Sequence, residues 1–381
     1  MKFTAETKSL SEACRAVQRA ISGKSNISAL AGIMIRAVPG ALELTGYDLE
    51  VGIQTRIEAT VQEEGATVLN AKLLCEILRK LPADRLEISS NSSHTASITA
   101  GESKYRINGM SADDYPALPS IEGIAPLPLP LQTLKSMIRQ TAYAASVDLG
   151  MGAKPIHMGV KFELTPGELC LAAIDGFRLA MRKEKIDYQG DALEFVVPPK
   201  ALAELLKMNG GDATSSAEDA NVSVVIGSRH IIFSVGDYRM VSRLLEGQFM
   251  NYHAAIPKAF KTEAVANVRE LIEAIERISL INTEKVKAPI RCNIKPSEKI
   301  LDFNCATGVG TARDSVAANI SGEVFEVGFN NRFLLDALRV CDTDQVKMHF
   351  NGAVQPVTIL PLEGESFLFM VLPVRLQGGS A

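Results

Sequence analysis

The feature that most constrains this chain is a strand–turn–strand pattern that the sequence contains three times. The copies cover residues 42–57, 169–186 and 301–320. In the middle copy, small and apolar residues alternate on both sides of Asp175-Gly176, a pattern typical of a β-hairpin with a tight turn. Only this copy follows its turn glycine with Phe, Arg and Leu. The repetition therefore predicts a scaffold that is built three times and carries a site in one copy.

Two helical patterns also recur three times. The first places leucines at i and i+4 on one face, and its copies align over residues 68–78, 196–206 and 328–338. Within it, Lys72, Lys200 and Arg332 occupy the same position. The second pattern is amphipathic at the helical period, and its copies cover residues 7–22, 130–146 and 267–282. Each repeat is therefore predicted to contain two helices in addition to its strands.

The repeat is about as long as a whole domain, and much longer than a solenoid unit. A proline-rich segment, IEGIAPLPLPL, separates the first repeat from the second. We therefore predict an α+β fold of three tandem domains at residues 1–122, 123–255 and 256–381. In each domain, two helices pack on antiparallel sheets.

Composition excludes several classes of protein. The net charge is −4, so a role with nucleic acid depends on where individual Lys and Arg residues lie. The six cysteines are scattered without a CxxC pair, which favours free thiols in a reducing cytosol. No HxxxH, HExxH, GxxxxGK or GxSxG motif occurs, so we predict no metal and no cofactor. The polar N-terminus and the short apolar runs predict a cytoplasmic protein without a membrane span.

Three motifs resemble one family. They are DYPALP at residues 114–119, IDGFRLA at 174–180 and MVLPVRL at 370–376. Together with the three-repeat order, they are similar to the bacterial replicative sliding clamps, the beta subunits of DNA polymerase III. The resemblance implies a ring formed by a head-to-tail homodimer. Such a ring is a non-catalytic processivity factor that encircles duplex DNA without reading its sequence.

The resemblance also implies three sets of site residues. A hydrophobic pocket would bind short motifs of the replicative polymerase, the clamp loader and repair proteins, and its residues would be His157, Gly176, Phe177, Arg178, Leu179, Met250, Asn330, Phe333, Val354, Pro356, Met370, Val371, Leu372, Pro373, Val374, Arg375 and Leu376. The cations facing DNA would be Arg15, Arg19, Lys24, Lys72, Arg79, Lys135, Arg139, Lys200, Lys207, Arg269 and Arg332. The dimer seam would contain Tyr105, Ile107, Leu280 and Ile281.

Two other functions remain open from the residues alone. An enzyme built from repeated α/β units, such as the enolpyruvyl-transferase-like folds, would need several Arg and Lys side chains converging on one substrate. A peptide-recognition protein could use the same apolar groove without forming a ring. The clamp must be a dimer with a central hole, whereas the peptide-recognition protein could be a monomer.

Overall fold

A computed structural model of the chain describes residues 1–23, 25–147, 154–209, 220–282 and 288–376. Lys24, which was predicted to face DNA, lies outside these residues. The described part contains no helix that is both long and apolar enough to cross a membrane. Six free cysteines are present; five are buried and Cys341 is half-buried.

Twenty-five strands and six α-helices make up the described part of the chain. The strands are β1 (Lys2–Glu6), β2 (Gly32–Val38), β3 (Ala41–Tyr47), β4 (Val51–Glu58), β5 (Thr60–Glu63), β6 (Gly65–Asn70), β7 (Arg85–Ser90), β8 (Thr95–Ala100), β9 (Ser103–Met110), β10 (Leu127–Pro130), β11 (Val160–Thr165), β12 (Glu168–Ile174), β13 (Arg178–Lys185), β14 (Leu193–Val197), β15 (Asn221–Ile226), β16 (His230–Val235), β17 (Tyr238–Arg243), β18 (Thr262–Asn267), β19 (Ile290–Lys295), β20 (Ile300–Thr307), β21 (Gly310–Gly322), β22 (Phe325–Phe329), β23 (Gln345–Phe350), β24 (Val357–Pro361) and β25 (Phe367–Val371). The helices are α1 (Thr7–Gln18), α2 (Ala71–Lys80), α3 (Leu131–Ala142), α4 (Pro199–Leu205), α5 (Val268–Ser279) and α6 (Asn331–Arg339).

The predicted hairpins and helices are present, but the helices that precede the hairpins are shorter than predicted. The three hairpins are β3–β4, β12–β13 and β20–β21. Helix α1 ends at Gln18, α3 at Ala142 and α5 at Ser279, each a few residues before the predicted end. Backbone amides beyond α1 and α5 bond to carbonyls three residues earlier, which tightens the last turn and ends the helix.

Asparagine caps define three helix starts. The side chains of Asn70, Asn267 and Asn330 accept hydrogen bonds from backbone N–H groups in the first turns of α2, α5 and α6. Such a cap satisfies an N–H that has no partner within the helix and contributes about 1 kcal/mol. The caps therefore fix where the leucine face of α2 and α6 begins.

The chain forms two compact units. Unit 1 contains residues 1–134 and 200–244, and unit 2 contains residues 135–199 and 245–381. The predicted central domain therefore contributes strands to both units: β10 and β15–β17 belong to the sheet of unit 1, and β11–β14 belong to the sheet of unit 2. Unit 1 has an antiparallel sheet in the order β10-β15-β16-β17-β4-β3-β2-β6-β9-β8-β7-β1-β5. Unit 2 has the order β14-β11-β12-β13-β25-β24-β23-β18-β21-β20-β19-β22.

Each sheet becomes continuous at one strand pair between neighbouring repeats. In unit 1, β4 pairs with β17; the paired residues run from Val51 with Ser242 to Thr55 with Tyr238. In unit 2, β13 pairs with β25; the paired residues run from Arg178 with Val371 to Arg182 with Phe367. In both units, the second strand of a hairpin pairs with the last strand of the next repeat. The turn of that hairpin is therefore held beside the chain that follows the last strand.

The cores lie between these sheets and the helices. Helix α1 buries Leu10, Cys14 and Val17, and α5 buries Leu271, Ile275 and Ile278. Burial of each large apolar side chain contributes roughly 1.5–3 kcal/mol. The fully buried aromatic side chains of unit 2 include Phe303, Phe329, Phe350, Phe367 and Phe369.

Strands β9 and β21 lie inside their sheets, yet among the described residues each leaves part of one edge without a partner strand, as the terminal strands β5, β10, β14 and β22 also do. Strand β9 pairs with β6 only at Gly109 and Met110, so the same edge is open over residues 103–108. Strand β21 pairs with β18 over residues 318–322, and its residues 310–317 pair only with β20. Open strand edges can pair with another chain.

Candidate partner groove, DNA-facing cations and seam

The turn between β12 and β13 presents one exposed aromatic ring. Asp175 Oδ1 accepts hydrogen bonds from the backbone N–H groups of Phe177, at 2.9 Å, and Arg178, at 3.0 Å. Gly176 adopts a φ of 89°, a conformation that is strained for L-residues with a side chain. The Phe177 side chain is 60% exposed although it is aromatic. The local sequence therefore holds an apolar side chain in solvent.

Arg178 lies beneath this turn and joins it to α6. Its Nε donates to Asp175 Oδ2 at 2.9 Å, and its Nη1 donates to Asp336 Oδ2 at 2.5 Å. The guanidinium carbon lies 4.8 Å from the centre of the Phe333 ring and 5.4 Å from that of Tyr143. Only 9% of Arg178 is exposed, so its charge is satisfied inside the protein. We name Asp175, Arg178 and Asp336 the Arg178 cluster.

The turn that carries Phe177 forms one wall of a candidate binding surface. Strand β25 and the residues after it form the second wall. Leu372 N–H donates to the Phe177 carbonyl at 2.8 Å, and Val374 N–H donates to the Gly328 carbonyl at 2.8 Å. A Cβ placed on Gly328 would lie 2.7 Å from the Val374 carbonyl oxygen, so the close approach of this backbone requires glycine. The backbone of residues 372–376 is therefore fixed beside the turn.

Phe333 on α6 lies against the turn. Its ring stacks on Phe177 with centroids 5.8 Å apart and an interplanar angle of 23°. We name the surface formed by Gly176, Phe177, Phe333 and residues 372–376 the Phe177 groove. Beneath it, Leu179 and Met370 are buried in one apolar cluster with Ile174 and Tyr252.

The predicted pocket residues differ in how accessible they are. Exposed members are Gly176, Phe177, Met250, Val354, Val374 and Arg375. Half-buried members are His157, Asn330, Phe333, Pro356, Leu372, Pro373 and Leu376. Buried members are Arg178, Leu179, Met370 and Val371. The buried side chains lie beneath the surface, and the members of the other two sets are accessible to solvent.

His157 lies at the margin of this region. Its ring makes an edge contact with Phe249 at a centroid distance of 5.2 Å, and Phe249 packs against the apolar cluster beneath the groove. Burial, together with the nearby Lys154 charge, lowers the pKa of His157. The ring is therefore neutral at pH 7, which suits an apolar neighbourhood.

The equivalent place in unit 1 is covered by the chain itself. Gly52 pairs with Tyr47 and Val241, just as Leu179 pairs with Ile174 and Met370. A Cβ placed on Gly52 would lie 2.3 Å from Leu118 Cδ2, because Leu118 packs directly over it. The DYPALP motif therefore supplies the side chain that covers the first hairpin.

The predicted DNA-facing cations fall into three groups. Lys135 is only 2% exposed, so its prediction as a DNA contact is wrong. Five are engaged by carboxylates: Arg19 and Lys207 by Glu204, Arg79 by Glu76, Lys200 by Asp48 and Arg269 by Glu273. Four are exposed and make no ion pair within the described residues: Arg15, Lys72, Arg139 and Arg332.

The predicted seam residues lie on or beside the two open strand edges. Tyr105 is 39% exposed on β9, and Leu280 is 81% exposed at the end of α5. Ile107 and Ile281 are half-buried. The Thr307 hydroxyl donates to the Ile281 carbonyl at 3.2 Å, which ties the end of α5 to the β20–β21 hairpin.

Comparison with known proteins matches nearly the whole chain to one family. The family models of the DNA polymerase III beta subunit match residues 1–119 with the N-terminal domain, 128–251 with the central domain and 253–375 with the C-terminal domain. The beta sliding clamp of Bacillus subtilis (strain 168) is 32% identical over 385 residues, which cover 98% of this chain and 100% of the relative. The chain belongs to the DNA polymerase III beta subunit family.

Solved structures of beta subunits share the fold. The crystal structure of the Bacillus subtilis sliding clamp matches with a TM-score of 0.93 and 31% identity over 99% of both chains. A Pseudomonas aeruginosa sliding clamp bound to griselimycin matches with a TM-score of 0.90 and 25% identity, over 99% of this chain and 100% of that one. This beta subunit is therefore a sliding clamp, a processivity factor without catalysis of its own. The alternative of an enzyme built from repeated α/β units is wrong.

Three residues that support the two hairpin turns were not predicted from the sequence to do so. Asp336 binds Arg178, but the sequence gives no sign of this contact because the two residues are far apart in the chain. Tyr143 carried no signal, because its contact with Arg178 joins residues far apart in the chain. Leu118 was part of a recognised motif, but its packing on Gly52 depends on the fold.

Proposed function

We propose that this clamp tethers the replicative polymerase, the clamp loader and repair proteins by binding their short apolar motifs in the Phe177 groove, in the cytoplasm. The observation that carries the proposal is the Phe177 ring, which is 60% exposed yet held by a defined turn. Exposed aromatic anchors beside apolar walls are typical of sites that bind short peptides.

Two further observations support this groove. Its apolar surface is accompanied by polar groups, including the half-buried Asn330 and the exposed Arg375, which can fix the direction of an extended peptide. The related Pseudomonas aeruginosa clamp has been solved bound to griselimycin. A sliding clamp of this family therefore binds a ligand other than DNA.

We also propose that two copies close head to tail into a ring. The open edge of β9, residues 103–108, would pair with the open edge of β21, residues 310–317, of the second copy. Tyr105 and Ile107 would then pack on Leu280 and Ile281. Ring closure would pair backbone groups that are otherwise open and cover Leu280, which is 81% exposed.

Double-stranded DNA would pass through this ring. The exposed cations without a carboxylate partner among the described residues, Arg15, Lys72, Arg139 and Arg332, would contact phosphates and so hold DNA of any sequence. Cations already engaged by carboxylates would contribute less, because a phosphate must compete with the existing ion pair.

The peptide site is tested with a fluorescent peptide from a replicative polymerase and with griselimycin as its competitor. We expect Phe177→Ala to weaken peptide binding by about 1–3 kcal/mol, or roughly five- to 150-fold, because the ring is a central apolar anchor. Deleting residues 374–376 should abolish binding and leave the oligomeric state unchanged. The measurements are fluorescence anisotropy and solution mass.

Phe260→Ala is the matched control. Phe260 is also exposed, at 48%. It also stacks on a ring of unit 2, that of His349, with centroids 3.9 Å apart. The control variant should bind the peptide as tightly as the unaltered protein. If Phe177→Ala and the truncated protein keep full affinity, the groove is not the partner site.

A further inference from the structure

We infer that Asp336 is a positioning residue for the partner groove: by binding Arg178, it fixes the turn that presents Phe177. The inference rests on the proposed function of the groove and assigns a role to a residue outside its surface. All the contacts involved lie within unit 2.

The turn has two layers of support. Asp175 Oδ1 fixes the backbone by accepting hydrogen bonds from two amides, while Asp175 Oδ2 binds Arg178 Nε at 2.9 Å. Arg178 is therefore part of the turn. With its Nε occupied by Asp175, its Nη1 reaches Asp336 on α6 at 2.5 Å.

Phe177 and Arg178 meet the same aromatic ring. Phe333 stacks on Phe177, with centroids 5.8 Å apart, and also lies 4.8 Å from the Arg178 guanidinium carbon. Phe333 and Asp336 are three residues apart on α6, so they lie on neighbouring positions of one helix face. Helix α6 therefore holds the turn at two points, one through a ring and the other through a carboxylate.

The charge of Arg178 depends on its partners. Arg178 is 9% exposed, and its guanidinium lies over two aromatic rings. Burial raises the pKa of Tyr143 well above its usual value, so this ring is a neutral cation–π partner and not a counter-ion. Without the Asp336 carboxylate, Arg178 keeps only Asp175 as a negative partner among the described residues. The guanidinium is then free to move toward solvent and carry the turn with it.

Unit 1 contains a comparable ion pair with the opposite polarity. There the acid is on the hairpin turn, at Asp48, and the base is on the helix, at Lys200 of α4. Asp48 Oδ1 also fixes its turn by accepting hydrogen bonds from the N–H groups of Glu50, at 3.0 Å, and Val51, at 2.7 Å. Both units thus tie a hairpin turn to a helix of the next repeat. Of these two turns, only that of unit 2 carries an exposed aromatic ring.

The two ion pairs offer a matched pair of substitutions. Asp336→Asn and Asp48→Asn each remove one carboxylate charge from an ion pair between a turn and a helix. We expect Asp336→Asn to weaken binding of the fluorescent polymerase peptide by about two- to thirtyfold, the usual range for a residue that acts through another. Asp48→Asn should leave the peptide affinity unchanged. Asp336→Glu, which keeps the carboxylate, should bind the peptide much more tightly than Asp336→Asn.

The decisive measurement repeats Asp336→Asn in the Phe177→Ala background, at peptide concentrations that saturate the weakened site. If Asp336 acts through Phe177, its substitution has little further effect once that ring is absent. A full additional decrease in affinity would mean that Asp336 contacts the peptide itself, and no decrease in either background would mean that the Arg178 cluster does not position the turn. Either result overturns the inference. Failure of the proposed function is distinguishable, because it would appear as unchanged binding by Phe177→Ala.

Discussion

At the scale of single residues, Gly52 and Leu118 in unit 1 form a complementary pair. Gly52 has no side chain at the register position that Leu179 fills in unit 2, and Leu118 occupies the space above it. A Cβ on Gly52 would also lie 3.0 Å from Tyr47 Cδ2 and 3.1 Å from Val241 Cγ1. The contact between Leu118 and Gly52 therefore depends on glycine at this position.

We expect Gly52→Ala to destabilise the protein by about 1–3 kcal/mol, because added volume in a close-packed site forces its neighbours to move. Combining it with Leu118→Ala should cost less than the sum of the two single changes, since each relieves the other. Urea unfolding followed by circular dichroism measures both.

Gly308→Ala is the control for this experiment. No atom lies within 4 Å of a Cβ placed there, and its backbone is not in the left-handed region. Its unfolding midpoint should match that of the unaltered protein. A double variant destabilised by the full sum of the two single changes would contradict the packing of Leu118 on Gly52.

At the scale of elements, the sequence predicts where the helices lie. It does not predict which of their cations are exposed, buried or already paired with a carboxylate. The repeated leucine spacing was sufficient to find α2, α4 and α6, because that periodicity is local. The partner of a cation is not local: Arg19 binds Glu204 and Lys200 binds Asp48, across more than a hundred residues in each case. Lys135 is buried on α3 although the same helix exposes Arg139. Lys72, Lys200 and Arg332 align in the repeat, yet of these three only Lys200 has an ion pair within the described residues.

The Phe177 groove shows the same difference between local signals, which the sequence reveals, and contacts between distant residues, which it does not. Its turn could be predicted, because Asp175-Gly176 and the alternating strands are local signals. The terminal strand could be placed beside that turn only through the family resemblance. The Arg178 cluster could not be predicted, because it requires a side chain on β13 to meet one on α6, 158 residues away.

The division of the cations leads to a prediction with two variants of equal charge change. Lys72→Glu with Arg332→Glu removes two cations that have no ion pair within the described residues, whereas Lys207→Glu with Arg269→Glu removes two that carboxylates already engage. We expect the first variant to bind a short duplex more weakly than the second. Its salt dependence should also fall, by about 0.9 in the slope of log affinity against log salt for each phosphate that the variant no longer neutralises.

The duplex titration is run over a series of salt concentrations, and the second variant controls for net charge. Both variants should keep the solution mass of the unaltered protein. Equal decreases of affinity and slope would show that ion pairing does not determine which helix cations bind DNA.

At the scale of the whole molecule, assembly separates a clamp from a protein that only binds peptides. Ile107→Asp with Leu280→Asp places two charges at the proposed seam, where each apolar side chain contributes roughly 1.5–3 kcal/mol on burial. We expect folded monomers at micromolar concentration, measured by sedimentation velocity. The circular dichroism spectrum should be unchanged.

Val147→Asp with Val324→Asp is the control for the seam variant. These side chains are 89% and 71% exposed, so the same charge is added at two apolar surface positions outside residues 103–108 and 310–317. This control should remain dimeric. A seam variant that sediments as the dimer would place the contact elsewhere.

The open edges of β9 and β21 have a consequence for how assembly can fail. An interface between β9 of one copy and β21 of the next joins different surfaces, so the contact can be repeated without limit unless the chain has the curvature that closes it. A change that alters the curvature of either sheet while sparing both edges would therefore not release monomers. It would produce polymers that lengthen with protein concentration, visible as rising light scattering, with every seam intact and no ring complete.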